Sequence, residues 1–276
     1  MDFRTILVDL GDDAAREARI EAAGVLAART QGCVLGITAT GGLLEPPHRG
    51  GAEAANDADW PEGPRRRLAE RDAEVLRRVL ARVAPSVSAS HIITDGEAGW
   101  ALAVHGRAAD LLLPAPPGRN ESVSAPMAQA AEYALLHAGR PMLMMRPNMH
   151  LRLDGHVIVA WDGRREASRV LADALPLLAL AGQVTICVFT SENEIGADDK
   201  GAGDLVPWLA RHGVHATIRI EEAASVEDAL LRVIGHEKPA LLVAGGYGHS
   251  RLGELILGGT TRTLLRGSTV PLFMSH

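Results

Sequence analysis

The chain spells one order of elements twice, and this repeat limits its fold more than any other feature. Ile6-Leu7-Val8-Asp9-Leu10-Gly11 is echoed by Ile158-Val159-Ala160-Trp161-Asp162-Gly163. Each is a short apolar run closed by an acidic turn and followed by an alanine-rich helical pattern. Ala109-Asp110-Leu111-Leu112-Leu113 matches Pro239-Ala240-Leu241-Leu242-Val243. Leu135-Leu136-His137 with Pro141-Met142-Leu143-Met144 matches Leu264-Leu265-Arg266 with Pro271-Leu272-Phe273-Met274. Self-similarity on this scale means two copies of one structural unit. The expected domains are 1–147 and 153–276, joined near Arg146-Pro147-Asn148-Met149-His150.

Short apolar runs predict strands near 4–9, 33–39, 90–94, 110–114 and 141–145, then near 156–161, 184–190, 215–220, 240–244 and 270–274. Helical patterns fall between them, near 13–30, 64–83, 97–108 and 125–138, then 164–181, 202–212, 225–235 and 260–266. Alternating strands and helices predict βαβ units, a parallel sheet and helices on both of its faces. The expected class is therefore α/β, with two tandem open-sheet αβα domains of five parallel strands each. Right-handed crossovers place a ligand crevice at the carboxyl ends of the strands. Residues 41–64, with Pro46-Pro47, Gly50-Gly51 and Pro61, predict a mobile surface loop. The matching stretch, Ser191 to Gly203, is shorter and acidic and is expected to be exposed.

The strongest local signal follows the run Pro239 to Ala244. Gly245-Gly246-Tyr247-Gly248-His249-Ser250-Arg251 is succeeded by Gly258-Gly259-Thr260-Thr261. Glycines there let backbone N–H groups approach an anionic ligand, because no Cβ intervenes. The second pair opens a helical pattern whose free N–H groups favour phosphate. A plain strand-to-helix turn has the same spacing, so both readings stand on the residues alone.

Composition narrows the function classes. A net charge of −6 without a basic tail argues against nucleic acid as a partner. No apolar run approaches the roughly 20 residues of a membrane helix, so no membrane partner is expected. The start, Met1-Asp2-Phe3-Arg4, lacks the charged and apolar blocks of a secretory signal, which predicts a cytoplasmic protein. Cys33 and Cys187 sit in strand-like segments and are expected as small buried hydrophobes. There is no Gly-Lys-Ser/Thr loop, no glycine fingerprint after the first strand of either copy, and no Gly-x-Ser-x-Gly elbow. The histidines lack partners at metal-ligand spacing. Arg65-Arg66-Arg67 opens a charged helical face with Glu70, Asp72 and Glu74.

The spacing Gly245-x2-Gly248-x9-Gly258 resembles the nucleotide-binding signature of the universal stress proteins. Tyr247-Gly248-His249-Ser250-Arg251-Leu252 and Leu257-Gly258-Gly259-Thr260-Thr261-Arg262 resemble the form found in tandem bacterial members, as does Val159-Ala160-Trp161-Asp162-Gly163-Arg164-Arg165-Glu166-Ala167. The resemblance is specific over 155–276 and rests on element order over 1–147. It implies an adenine nucleotide alpha hydrolase-like fold in each domain. It further implies a stress-response regulatory protein whose C-terminal domain binds ATP or another adenine nucleotide, with or without Mg. Asp162, and Asp9 in the first copy, would stand near the adenosine. The backbone at Val188 and Phe189 would face the adenine. Gly245, Gly248 and Gly258 would form the phosphate loop, with positive charge from His249 and Arg251 and a hydroxyl from Ser250. The last strands, 141–145 and 270–274, would lie at sheet edges and pair across a pseudo-twofold. The tandem chain would thus form an intramolecular pseudo-dimer; pairing of two chains as a homodimer stays open.

Two departures stand out. The position after the third glycine is usually Ser or Thr in triphosphate-binding members; here it is Gly259, and Thr260 or Thr261 would have to supply the hydroxyl. The loss of one charged hydrogen bond is worth about 1.5–3 kcal/mol. The first copy carries Pro114-Ala115-Pro116-Pro117-Gly118-Arg119-Asn120-Glu121 in place of the glycine loop. Its prolines remove donors and Glu121 repels phosphate, so that copy is expected to be structural. Beside the nucleotide-binding reading stands a non-catalytic dimerisation and partner-docking module that binds no nucleotide. A weak ATPase is the third reading, but the residues show no positioned base or metal-holding acid beyond Asp162, and no catalytic residue is assigned.

Overall fold

The computed structural model describes residues 2–41, 62–117, 130–190, 199–247 and 259–276. The first half runs β1 (Thr5–Asp9), α1 (Arg16–Thr30), β2 (Cys33–Ala39), α2 (Glu62–Val83), β3 (Ser88–Thr94), α3 (Ala98–Gly106), β4 (Leu111–Leu113), α4 (Ala130–His137) and β5 (Met142–Met144). The second runs β6 (His156–Trp161), α5 (Arg165–Leu178), β7 (Gln183–Thr190), α6 (Ala202–Arg211), β8 (Ala216–Glu222), α7 (Val226–Glu237), β9 (Leu241–Gly245), α8 (Gly259–Gly267) and β10 (Leu272–Ser275). Of the stretch expected as a mobile loop, 42–61 lie outside the described residues. Residues 62–64 belong to α2, because Pro64 falls in the first helical turn, where its missing N–H costs no bond.

All ten strands form one sheet in the order β3-β2-β1-β4-β5-β10-β9-β6-β7-β8. Ten strands in sequence could have split into two sheets; the antiparallel pair β5–β10 is what merges them, with Leu272 opposite Met144, Phe273 opposite Leu143 and Met274 opposite Met142. Every other pairing is parallel. Within each half the strand order reverses beside the first strand, between β1 and β4 and between β6 and β9. Such a reversal sends neighbouring crossovers to opposite faces and leaves a gap at the strand ends.

Successive strand side chains point to opposite faces, and here both faces are covered, so the strands need no polar alternation. Ile6 and Val8 join a core with α1, α2, α5 and α6, whereas Leu7 joins a core with α3, α4, α7 and α8. Both cores run across the seam between halves. Leu143 and Phe273 belong to the first; Met142, Met144, Leu272 and Met274 belong to the second. The Phe3 ring of the first half meets that of Phe273 at a centroid distance of 6.2 Å. Arg146, just past β5, donates from Nη2 to the Leu265 carbonyl of α8.

Cys187 is buried as expected, but Cys33, the first residue of β2, is only half-buried because it opens the strand at the sheet margin. Among the described residues no helix is long and apolar enough to cross a membrane. Since both cores cross the seam, the halves should unfold together. Phe273→Ala is expected to cost about 3–5 kcal/mol and to shift the circular-dichroism and tryptophan-fluorescence denaturation curves by the same amount. Two separated transitions would show that the halves fold independently.

Candidate functional site

A cavity of about 320 Å³ opens at the carboxyl ends of β6, β7 and β9, at the strand-order reversal of the second half. Its apolar wall comes from Trp161, Phe189, Leu230 and Leu264, and its polar side from Asp162, Glu166, Lys200 and Thr260. The sheet order dictates this place. The side chains around it follow from local structure.

Asp162 lies one residue past β6. Its Oδ1 accepts the Arg164 N–H at 2.9 Å, closing a turn over Gly163, whose φ of 76° suits glycine. Oδ2 is 3.9 Å from Arg164 Nε, and the side chain is half exposed, so this oxygen is placed to accept from a ligand hydroxyl. The backbone of α5 begins immediately afterwards. Glu166 in its first turn is buried, and burial alone would raise its carboxyl. Its own backbone N–H and the Arg165 guanidinium, 2.9 Å away, outweigh burial and hold it below its ordinary value. A carboxylate is therefore fixed in the cavity wall.

Lys200 ties the far wall together. Its Nζ donates to the Phe189 carbonyl at 2.8 Å, and its own carbonyl accepts the Trp161 indole N–H at 2.9 Å. Phe189 lines the cavity, and its carbonyl already has an ammonium donor. Val188 is not brought there: it lies within the ladder, opposite Trp161 of β6 and Ile220 of β8.

On the β9 side, a Cβ at Gly245 would stand 2.8 Å from the Glu166 carbonyl carbon and 2.9 Å from the Ala167 nitrogen. This glycine admits the first turn of α5 against the strand, a packing role that the sequence had offered to the ligand. Tyr247 follows in the left-handed region with φ of 54°, held by its N–H donating to Thr261 Oγ1 at 2.9 Å. Burial and the nearby Glu132 carboxylate of α4 raise its phenol well above the usual value. At the start of α8 the Thr260 hydroxyl donates to Glu227 Oε1 at 2.5 Å. Gly259 lies beside the same carboxylate, 3.4 Å from Oε1 to where its Cβ would be.

Asp162, Phe189, Gly245 and Thr260 are thus brought together, while Gly259 borders the group and Val188 stands apart. Gly248, His249, Ser250, Arg251 and Gly258 lie outside the described residues, as do Gly118, Arg119, Asn120 and Glu121 of the first copy. Lys200 and Glu227 carry no motif and were not singled out in the sequence; Glu166 appeared only within the run Val159 to Ala167, with no role of its own. Only the reach of Lys200 across three chain segments reveals it. Among the described residues no group of three or more His, Cys, Asp or Glu is placed to hold a metal ion.

At the corresponding reversal of the first half, between β1 and β4, a side chain bridges the two strands. Ile6 pairs with Leu111 as Val157 pairs with Leu241. This register sets Asp9 level with Ala160, not with Asp162, and sets Ala115 level with Gly245. Asp9 is buried; its Oδ1 accepts the Gly11 N–H at 2.9 Å and its Oδ2 the Ala115 N–H at 3.1 Å. The carboxylate bolts β1 to the end of β4 across the strand reversal. Ala160, with only a methyl group, leaves that space in the second half, where it lines the cavity. Behind Asp9, the wholly buried Arg19 donates to the Asp9 and Gly11 carbonyls at 3.1 and 3.2 Å and pairs with Asp13 at 2.7 Å.

Gly245→Ala is expected to destabilise the ligand-free protein by about 1–3 kcal/mol, because the added methyl must push α5 from β9. Chemical denaturation without ligand measures this; unchanged stability would return the glycine to a purely ligand-facing role.

In sequence the chain matches no protein-family model and no curated protein. In structure it is similar to a universal stress protein from Archaeoglobus fulgidus, with a TM-score of 0.76 at 16% identity, covering 98% of this chain and 95% of that one. It is also similar to a functionally unknown protein from Pseudomonas aeruginosa, with a TM-score of 0.61 at 16% identity, covering 99% of this chain and 92% of the other. At such identities the likeness is one of fold. The chain has the fold of a tandem universal stress protein over nearly its whole length.

Proposed function

We propose that this chain, built on the universal stress protein fold throughout, is a regulatory protein that binds an adenine nucleotide or nucleoside in its second half. The observation that carries the reading is the difference between two equivalent strand reversals. One is bridged by the Asp9 carboxylate and the Ala115 N–H; the other, at Ala160 and Gly245, opens into a cavity with an apolar wall and a few fixed polar groups. That combination suits a flat base with a hydroxylated sugar. In this reading Trp161, Phe189 and Leu230 enclose the base, and Asp162 Oδ2 accepts from the ribose hydroxyls.

The reading also treats 1–147 and 153–276 as domains, with the first structural. The β5–β10 pairing then serves inside one chain as the contact that two separate domains would otherwise make as a dimer. The first domain supports the second through this seam: Leu135 of α4 stands 2.7 Å from where a Cβ on Gly246 would be.

Calorimetric titration of the full chain with adenosine and its phosphates tests the proposal, with one site per chain expected. Asp162→Ala should weaken binding by about 1.5–3 kcal/mol, the value of hydrogen bonds to a charged group. Ala160→Asp should abolish it while the protein stays folded, because the new carboxylate can reach the Gly245 N–H as Asp9 reaches that of Ala115. A chain that binds none of these compounds would instead support the docking-scaffold reading.

A further inference from the structure

The first half reaches toward the crevice with one charged side chain. Glu132 belongs to α4, yet its carboxylate meets groups of the second half. Its side chain is 4% exposed, and its Oε1 stands 3.6 Å from Arg262 Nε of α8. A carboxylate is seldom taken this far from water without a counter-charge. Burial and then the Glu132 carboxylate push the Tyr247 phenol above its ordinary value, while Arg262 and Arg266 pull against them. Glu132, Tyr247, Arg262 and Arg266 therefore form one group, three of them from the second half. Arg262 and Arg266 are four residues apart on α8, so they share a face.

Among the described residues neither Glu132 oxygen accepts a hydrogen bond, and the Tyr247 hydroxyl and the Nε atoms of both arginines make none. Charge, more than directional bonding, relates these groups to one another. The second-half elements that carry them also wall the cavity. Tyr247 lines it directly, and α8 contributes Thr260, Thr261 and Leu264. Thr261 Oγ1 accepts the Tyr247 N–H at 2.9 Å, which ties the left-handed residue after β9 to the first turn of α8.

We infer that Glu132 is a positioning residue for the crevice, through which the first half sets the ligand affinity of the second. The inference rests on the adenine-ligand reading above and deepens it, since the first domain then tunes the site as well as supporting it. The carboxylate draws Arg262 and Arg266 toward α4 and so holds α8 and Tyr247 where they wall the cavity. Without that charge the arginines gain by turning to solvent, where the Arg262 side chain is already 37% exposed. Coupling of this kind is worth about tenfold in affinity.

The test is calorimetric titration of the full chain with adenosine and with ATP, for the wild type, Glu132→Gln, Arg262→Gln and the double variant, with folding checked by circular dichroism. Glu132→Gln keeps the shape and removes the charge, and should weaken binding about tenfold. Arg262→Gln should do the same, and the double variant should be no worse than either alone. Fluorine NMR of fluorotyrosine-labelled protein gives a readout without ligand. The chain has two tyrosines, Tyr133 and Tyr247, so Tyr133→Phe assigns the signals. The Tyr247 signal should move in Glu132→Gln. If that variant does not fold, Arg262→Gln alone carries the binding test. Wild-type affinity in either folded variant, a Tyr247 signal unmoved by Glu132→Gln, or losses that simply add in the double variant overturns the inference and leaves the adenine-ligand reading standing. A wild-type chain that binds neither compound overturns both.

Discussion

The antiparallel contact between β5 and β10 is the constraint on which the rest of the molecule depends. A parallel five-stranded half ends in a strand with one unpaired edge, and Met142, Leu143 and Met144 on that edge are wholly apolar. Left open, it would invite pairing with another chain. Joining the two edges removes both hazards at once and makes each core continuous across the seam. The remaining outer edges are β3 and β8. β8 carries Arg219, Glu221 and Glu222, charges that discourage further addition of strands.

That single sheet contains two strand-order reversals with the same geometry but different chemistry. In the first half an aspartate inside the strand reaches across the gap and satisfies a backbone N–H. In the second an alanine occupies the same level and the gap stays open. One side chain at one register position therefore distinguishes the two reversals: Asp9 bridges β1 to the end of β4, whereas Ala160 lines the cavity. The polar groups that survive in the crevice are asymmetric too. Asp162 offers an acceptor at the β6 end, whereas at the α8 end the Thr260 hydroxyl is held by Glu227.

The strands were legible in the sequence because fully buried parallel strands leave unbroken apolar runs, and Ile6 to Val8 or Leu241 to Ala244 cannot be mistaken for surface. The repeat was legible for the same reason. The site was legible only in part. Asp162 and Gly245 were recognisable as special positions, but the glycine codes for close approach without saying to what, and the structure supplies the first turn of α5. Asp9 looked equivalent to Asp162 because both end an apolar run; only the pairing register separates them by two residues. Lys200 and Glu227 act through contacts with residues 11 and 33 positions away. Such convergence has no local pattern, and in sequence Glu227 is simply an acid in a first helical turn.

The central claim is that ligand binding belongs to the reversal between β6 and β9 alone. A crystal structure of the full chain grown with adenosine tests it most directly. The account predicts one molecule per chain, enclosed by Trp161 and Phe189, with its ribose hydroxyls on Asp162. Adenosine lodged between β1 and β4 against Asp9, or present at both reversals, would contradict it.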